Sequence, residues 1–596
     1  MVVTFDRIGE WDQESLADTE CHLHSMMERL RAILAMPTLT AAIFVEIAAI
    51  YNNVAYIFLY LESNEAHVRY DELLPWRAAF FDDADLTEAL VRSIEGFRCD
   101  DLSLEASRQN YLAHLRRPSR HDNLIAARAA ELQTAAKAVL QDIRTDQTAL
   151  LRSLGIDPGS GDPVATFYRL SSRTEKVAVR AKLGLIWEKV RDRRLDDLTD
   201  LIDQQVILRR QSSAAVGYPS VLARTLELCR VSEADAVRFT DRCVHGAMAS
   251  HRALEEEIRK LTGAIDRPID HFGNYVHRLT GGRRAPLFRL DGCLAFLAEV
   301  GRAAFGLDFV RLPTRSPHVI AFGVTEGGHD VGAINFDLWH SGKRSSNRTT
   351  GIRNRLDYAG VVQRPVAYVS CRFDGGREGG LITFQNVHSL FHEFGHALNH
   401  LLIVTRLPDR SGLEYLPLER LENLSMWFEK WAFHPELAEA FALDATAREG
   451  LILCQQVKGL EYRRTHLERA VTAALDLEVH RHSTASLAEV YPELQERYGL
   501  ANHCTLGDFL SSFTWPMFQA HPGANFAYLW GAADSARRFS PVMTTSVAAV
   551  GPPHEVRRQF RSCFNFDEPS DEPDSGAIYE FYEKIVPGTA PGWAAA

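Results

Sequence analysis

The stretch FHEFGHALNH, residues 391–400, contains three histidines and one glutamate. The surrounding sequence, NVHSLFHEFGHALNHLL (386–402), is apolar with helical spacing, which predicts a buried helix. His392 and His396 are four positions apart, so on a helix they lie one turn apart on the same face. Two imidazoles in this arrangement can bind one Zn²⁺ ion at ~2.0–2.1 Å. The stretch therefore predicts a metal-binding helix.

Glu393 directly follows the first of these histidines, where the metalloprotease motif His-Glu-x-x-His has its general base. A proton acceptor is needed there because zinc lowers the pKa of a water only to about neutrality. His388 and His400 continue the histidine row at four-residue steps. Each such step turns ~40° around a helix, so four histidines cannot converge on one ion. We expect His388 and His400 to be neighbours of the ion rather than ligands.

A third protein ligand is needed, with the fourth position left open for water and substrate. The segment LEYLPLERLENLSMWFEKWAF (413–433) has an apolar stripe at helical spacing after Pro417. Spacing alone does not choose among its candidate carboxylates. These are Glu414, Glu419, Glu422 and Glu429.

The periodicity of the whole chain predicts a mostly α protein. Residues 1–302 have successive helical patterns, which predicts an N-terminal helical domain. Residues 303–596 form the predicted catalytic domain, with a short β element at 303–385 just before the histidine row. The β element is predicted from short β-branched or aromatic runs between Gly, Asp and Ser clusters. These runs are HVIAFGV (318–324), VGAINFDLW (331–339) and RPVAYVSCRF (364–373).

Composition limits the class of partner. The 596 residues include 78 acidic and 66 basic side chains, for a formal net charge of −12. This balance opposes nucleic acid or an anionic membrane as the main partner. The nine cysteines are irregularly spaced, and the N-terminus has no secretory pattern. We therefore expect reduced thiols and a cytoplasmic location.

The apolar stretch TLTAAIFVEIAAIYNNVAYIFLYL (38–61) is long enough to span a bilayer. However, Glu46, Asn52 and Asn53 lie in its middle, where charged and amide groups are costly in lipid. We interpret it as a buried helix of a large helical domain.

The stretch VHSLFHEFGHALN (387–399) resembles the signature of the thimet oligopeptidase family, which also includes oligoendopeptidase F. In that family the third zinc ligand is a glutamate on the following helix. A second glutamate lies seven positions later and, in the thimet branch, a tryptophan two beyond that. Glu422, Glu429 and Trp431 have this spacing. The resemblance therefore selects Glu422 as the third ligand and makes Glu429 a carboxylate that supports the ligands.

The resemblance also implies an architecture and an activity. One Zn²⁺ per chain would be bound by His392, His396 and Glu422, at the bottom of a deep channel flanked by two helical lobes. Glu393 would take a proton from the attacking water and pass it to the leaving amine. A narrow channel would admit short unfolded peptides and exclude folded proteins. We favour a monomer.

The segment FTWPMFQAHPGANFAYLWGAADSARRF (513–539) departs from the family, which has a Gly-Gly-Tyr loop or a His-Phe-Tyr segment here. Tyr528 aligns with the tyrosine that assists the tetrahedral intermediate. His521 aligns with the loop tyrosine, or one residue from the histidine. Either could donate a hydrogen bond to a developing oxyanion. The structural alternatives are a core aromatic for Tyr528 and a plain loop histidine for His521.

These observations predict a zinc metalloendopeptidase, and two other functions remain open. The altered 513–527 loop would permit a zinc amide-bond enzyme that acts on one small substrate in a biosynthetic pathway. A non-catalytic zinc-binding or peptide-binding protein is the other alternative. The intact Glu393 argues against the latter, because a structural site needs no base.

Overall fold

Helices make up most of the chain, which confirms the predicted class. The computed structural model describes residues 16–63, 67–115, 119–159, 162–264, 267–281, 283, 285–314, 319–339, 347–373, 380–569 and 571–585. The predicted absence of a secretory signal concerns the first residues, 1–15, which lie outside this described part.

The α-helices are, in chain order, α1 Leu16–Leu34, α2 Ala41–Ser63, α3 His67–Phe81, α4 Ala84–Gly96, α5 Leu102–Leu115, α6 Ser119–Ser153, α7 Pro163–Arg173, α8 Val177–Asp192, α9 Leu195–Ala215, α10 Val221–Leu226, α11 Glu233–Thr262, α12 Phe272–Thr280, α13 Leu290–Phe305, α14 Phe384–Leu402, α15 Leu418–Leu421, α16 Asn423–Lys430, α17 Leu437–Ala440, α18 Ala445–Arg481, α19 Leu487–Tyr498, α20 Pro516–Ala520, α21 Phe526–Phe539, α22 Pro553–Gln559, α23 Arg561–Phe564 and α24 Gly576–Ile585.

The strands are β1 Phe288–Arg289, β2 Leu307–Leu312, β3 Val319–Glu326, β4 His329–Asp337, β5 Arg348–Arg353, β6 Leu356–Tyr358, β7 Val361–Gln363, β8 Val366–Ser370 and β9 Leu381–Ile382. Five of them form a mixed sheet in the order β2-β3-β4-β8-β5. Strands β4 and β8 pair in parallel, and the other pairs are antiparallel. Three of the five match the predicted runs. The sequence analysis missed β2 and β5, and RTTGIR of β5 is too polar and glycine-containing to be recognised as a strand.

Contacts between residues divide the chain into two compact units. The first contains residues 1–117, 286–444 and 538–570, and therefore includes the mixed sheet and α14. The second contains residues 118–285, 445–537 and 571–596. The boundary expected from the sequence, between an N-terminal helical domain (1–302) and a catalytic domain (303–596), stays a prediction. The compact units differ from it because a contact-based unit gathers segments that are far apart in sequence.

Helix α2 belongs to the core of the first unit, as predicted for residues 38–61. By length and composition it could cross a membrane, but 78% of its apolar window is buried within the protein. Its polar side chains make hydrogen bonds within the protein: Arg29 donates to both carboxylate oxygens of Glu46, at 2.7 and 2.8 Å. Asn53 Nδ2 donates to Gln363 Oε1 at 3.0 Å. A mostly buried helix whose polar side chains hydrogen-bond to other parts of the protein is typical of a protein interior.

Candidate metal centre

Helix α14 carries the histidine row and lies in the interior of the first unit. It begins after Thr383, whose side-chain oxygen accepts a hydrogen bond from Asn386 N, so the helix has a capped N-terminus. Nearly every residue of the helix is buried. The helix is therefore a rigid element, as expected from its apolar surroundings.

Helix α14 packs very closely against α16 at Gly395. A Cβ atom built on Gly395 would lie 2.6 Å from Ser425 Cα and 2.8 Å from Leu424 O. Only glycine permits this approach without displacing backbone. The contact brings the start of α16, and with it Glu422 in the junction between α15 and α16, up to the histidines.

His392, His396 and Glu422 converge on one point. Oε2 of Glu422 is 3.3 Å from Nε2 of His392 and 3.3 Å from Nε2 of His396. All three ligand atoms lie within 4.8 Å of one another. Two ligand atoms at ~2.0–2.1 Å from a tetrahedral ion are ~3.3–3.4 Å apart. Two imidazoles and one carboxylate at this spacing fit a zinc ion.

The other carboxylates considered from the sequence have different partners. Tyr56 Oη donates to Glu414 Oε2 at 2.9 Å, and Arg420 Nε donates to fully buried Glu419 at 3.0 Å. His400 is likewise occupied, since its Nε2 lies 2.8 Å from Arg353 O. Burial lowers the pKa of His400 to about 4, so it is a neutral core histidine. The structure thus distinguishes among carboxylates that spacing could not.

Glu429 lies behind the candidate ligands. Its Oε2 is 2.9 Å from Nδ1 of His392, and its Oε1 is 3.2 Å from Nε2 of His388. Burial lowers the pKa of His392, but Glu429 and Glu422 outweigh this effect and raise the pKa to about 9. A hydrogen bond from Nδ1 of His392 to the carboxylate directs Nε2 toward Glu422. Glu429 is thus placed to orient a ligand, and His388 is its neighbour.

Glu393 points toward the sheet edge formed by β5. Thr349 Oγ1 lies 2.8 Å from Glu393 Oε2 and 2.9 Å from Glu393 O. The threonine hydroxyl contacts the carboxylate group of Glu393 only through Oε2. The other carboxylate oxygen, Oε1, is therefore left for other partners. The sequence analysis missed Thr349, because it lies 44 residues away on a strand that was not predicted.

A second residue that the sequence analysis missed holds the third candidate ligand. Ser425 Oγ donates to Glu422 Oε2 at 2.8 Å. Burial raises the pKa of Glu422, but His396, His392 and Ser425 outweigh it and lower the pKa to about 2. Glu422 is therefore an anionic group in the interior, which suits a cation ligand.

His521 and Tyr528 belong to the second unit. Their segment is held by Asp476 of α18, which accepts hydrogen bonds from Gly523 N at 2.8 Å and Asn525 N at 3.0 Å. Gly523 has a φ of +89°, which glycine adopts without strain. Burial lowers the pKa of His521, and Tyr528 is 37% exposed on α21.

Comparisons with known proteins give relatives for much of this chain. The family model for peptidase family M3 matches residues 173–551. Oligopeptidase A of Salmonella typhimurium is 27% identical over 194 residues, or 30% of this chain and 28% of the relative. A cytosolic oligopeptidase A of Arabidopsis thaliana is 26% identical over 404 residues, or 61% of this chain and 57% of the relative. The alignments thus span less than two thirds of these relatives.

The fold has relatives of known structure. An X-ray structure assigned to oligoendopeptidase F superposes with a TM-score of 0.56 at 14% identity, covering 96% of each chain. At this identity the likeness concerns the fold alone. The family model, by contrast, covers well over half of the chain and includes the helix with His392 and His396, the junction with Glu422 and the segment with Tyr528. The chain belongs to peptidase family M3.

Proposed function

We propose that this protein is a zinc-dependent oligopeptidase that hydrolyses internal bonds of short, unfolded peptides. The observation that most strongly supports this proposal is the convergence of His392, His396 and Glu422. Glu393 lies next to the first histidine on the same buried helix. The names of its relatives, oligopeptidase A among them, support a peptide substrate. The proposal includes one zinc ion at this centre.

Each chain residue has a defined role in this proposal. A zinc ion bound by the three ligands would polarise the scissile carbonyl and lower the pKa of a water. Glu393 accepts the proton of the attacking water on Oε1, since Thr349 restrains Oε2. It then gives that proton to the nitrogen of the leaving amine. Tyr528 and His521, by resemblance, donate hydrogen bonds to the developing oxyanion.

The setting proposed for this activity is the cytoplasm, with the protein acting as a monomer and with neither nucleic acid nor a membrane as a partner. The nine cysteines, all within the described ranges, are free thiols, which supports a reducing compartment. A relative is named as cytosolic. The channel between two lobes remains a prediction, and it would restrict substrates to short peptides.

A library of short peptides, incubated with the protein and analysed by mass spectrometry, tests the function. We expect internal cleavage of many unrelated peptides, lost after chelation and restored by Zn²⁺. Glu393→Gln should retain zinc and lose ~10²–10⁴-fold in turnover, because the amide cannot accept the proton. Glu439→Gln, an exposed change on α17, is the matched control.

Two results would contradict the proposal. Cleavage or release of one small amide only, with the peptide library untouched, would favour the biosynthetic enzyme. Zinc binding with no hydrolysis of either substrate class, and no difference between the parent and Glu393→Gln, would favour a non-catalytic binding protein.

A further inference from the structure

A second group of metal-ligating side chains lies in the second compact unit, away in sequence from the histidine row. His251 and Glu255 are one turn apart on α11, and His503 lies in the turn that follows α19. One ligand atom from each of the three lies within 4.8 Å of the other two. The group thus joins two imidazoles and one carboxylate from two separate parts of the chain.

Two of these side chains are buried, and His503 is 16% exposed, yet well-directed hydrogen bonds do not join them. His251 is 3% exposed and Glu255 is 5% exposed. Nε2 of His251 is 3.5 Å from Glu255 Oε1, and Nδ1 of His503 is 3.0 Å from Glu255 Oε2. Among the described residues, no hydrogen-bond partner is found for either ring nitrogen of His251, for Glu255 Oε1 or for Nδ1 of His503.

Such an arrangement is costly without a ligand. A buried polar atom that lacks a hydrogen bond loses its hydration without compensation, and a buried carboxylate needs a cation nearby. A divalent transition-metal ion satisfies both requirements, because neutral imidazole nitrogens and a carboxylate oxygen are its usual ligands. Buried atoms without hydrogen-bond partners, on three side chains whose ligand atoms lie within 4.8 Å of one another, indicate a place for such an ion.

We propose that His251, Glu255 and His503 bind a second divalent transition-metal ion, distinct from the one at His392. The sequence HRALE (251–255) has no glutamate directly after its histidine, so the group lacks the general base of the first centre. The role we assign to the ion is to link two parts of the chain. It ties the turn around His503 to the middle of α11.

The test uses the full chain, stripped of metal with a chelator and titrated with Zn²⁺ alone. His392→Asn removes a ligand of the first centre and serves as the background. In this background we expect one equivalent of zinc to bind and to be lost in His503→Asn. His245→Asn, an exposed histidine on the same helix, is the matched control and should retain the equivalent.

A second measurement needs no substitution. Zinc added to the metal-free parent should slow backbone hydrogen exchange in residues 499–505, since the ion would hold this turn against α11. Circular dichroism verifies that each variant is folded. Retention of the zinc equivalent in His503→Asn, or unchanged exchange in residues 499–505 at saturating zinc, would overturn the proposal.

Discussion

Gly395 of α14 and Ser425 of α16 are so close that no side chain fits between them, since a Cβ at position 395 would be 2.6 Å from Ser425 Cα. This contact fixes the distance between the helix that carries the histidines and the helix that follows Glu422. The geometry of the candidate metal centre therefore depends on a residue that has no side chain to contribute.

Gly395→Ala should weaken zinc binding and destabilise the protein. The added methyl must push the backbone of α16 away, and overpacking of this kind costs ~1–3 kcal/mol. Zinc content and melting temperature measure the effect. Gly184→Ala on α8 is the control, because its Cβ would have a nearest contact at an ordinary 3.7 Å. Full zinc occupancy and unchanged melting in Gly395→Ala would contradict this account.

Glu422→Ala should remove one equivalent of zinc, because two nitrogens alone hold the ion weakly. Glu414→Ala serves as the control, since Glu414 hydrogen-bonds to Tyr56 instead. Metal analysis after gel filtration distinguishes the variants. Full occupancy in Glu422→Ala combined with loss in Glu419→Ala would show that the third ligand is assigned wrongly.

Thr349→Val should lower kcat by about 10- to 100-fold with little change in KM. The substitution keeps the shape but removes the hydroxyl that restrains Glu393, and a hydrogen bond to a charged group contributes ~1.5–3 kcal/mol. Steady-state kinetics on one cleaved peptide measures this split. Thr349→Ser retains the hydroxyl and should restore most of the activity. An equal loss in Thr349→Ser would indicate a packing role instead.

Tyr528→Phe should lower kcat ~10²–10³-fold while KM changes little, as expected for a donor that acts in the transition state. Because Tyr528 is 37% exposed, losing its hydroxyl should disturb packing little. His521→Ala should have a smaller effect. If Tyr528→Phe keeps its activity and His521→Ala loses most of it, the hydrogen-bond donor to the oxyanion is the loop histidine. If both variants hydrolyse peptides as fast as the parent, the biosynthetic alternative is favoured.

His271 should make stability depend on pH. Its Nδ1 accepts a hydrogen bond from Arg180 Nε at 2.8 Å. Burial and then Arg180 lower its pKa from 6.5 to about 4. Between pH 6.5 and about pH 4, unfolding is therefore accompanied by the binding of about one proton to His271. The stabilisation is complete above pH 6.5 and is lost as the pH falls toward 4.

Melting temperatures at about pH 7 and about pH 5 measure this effect. The decrease between them should be smaller in His271→Gln, whose amide oxygen can still accept from Arg180 but does not titrate. His245→Gln is the control at an exposed histidine of the same unit. An identical decrease in His271→Gln and the parent would exclude His271 as a source of the pH dependence.

Local patterns in the sequence were sufficient for the helix class and for part of the candidate centre. The i, i+4 spacing of His392 and His396 fixes their common face on any helix, so the pair and the adjacent Glu393 follow from the chain itself. The mostly apolar residues 38–61, with three interrupting polar groups, likewise predicted a buried helix. Three of the five strands of the mixed sheet were visible as β-branched or aromatic runs.

Tertiary structure decided what depends on residues far apart in sequence. Spacing alone left four carboxylates open, and only the packing of α14 on α16 places Glu422 against both histidines while Glu414 and Glu419 have other partners. Thr349 contacts Glu393 from β5, a strand that was not predicted because its sequence is polar. His503 lies next to α11 although roughly 250 residues separate them in the sequence. Sequence periodicity reports the faces of one element, whereas contacts between elements arise only when side chains from distant segments pack in the same core.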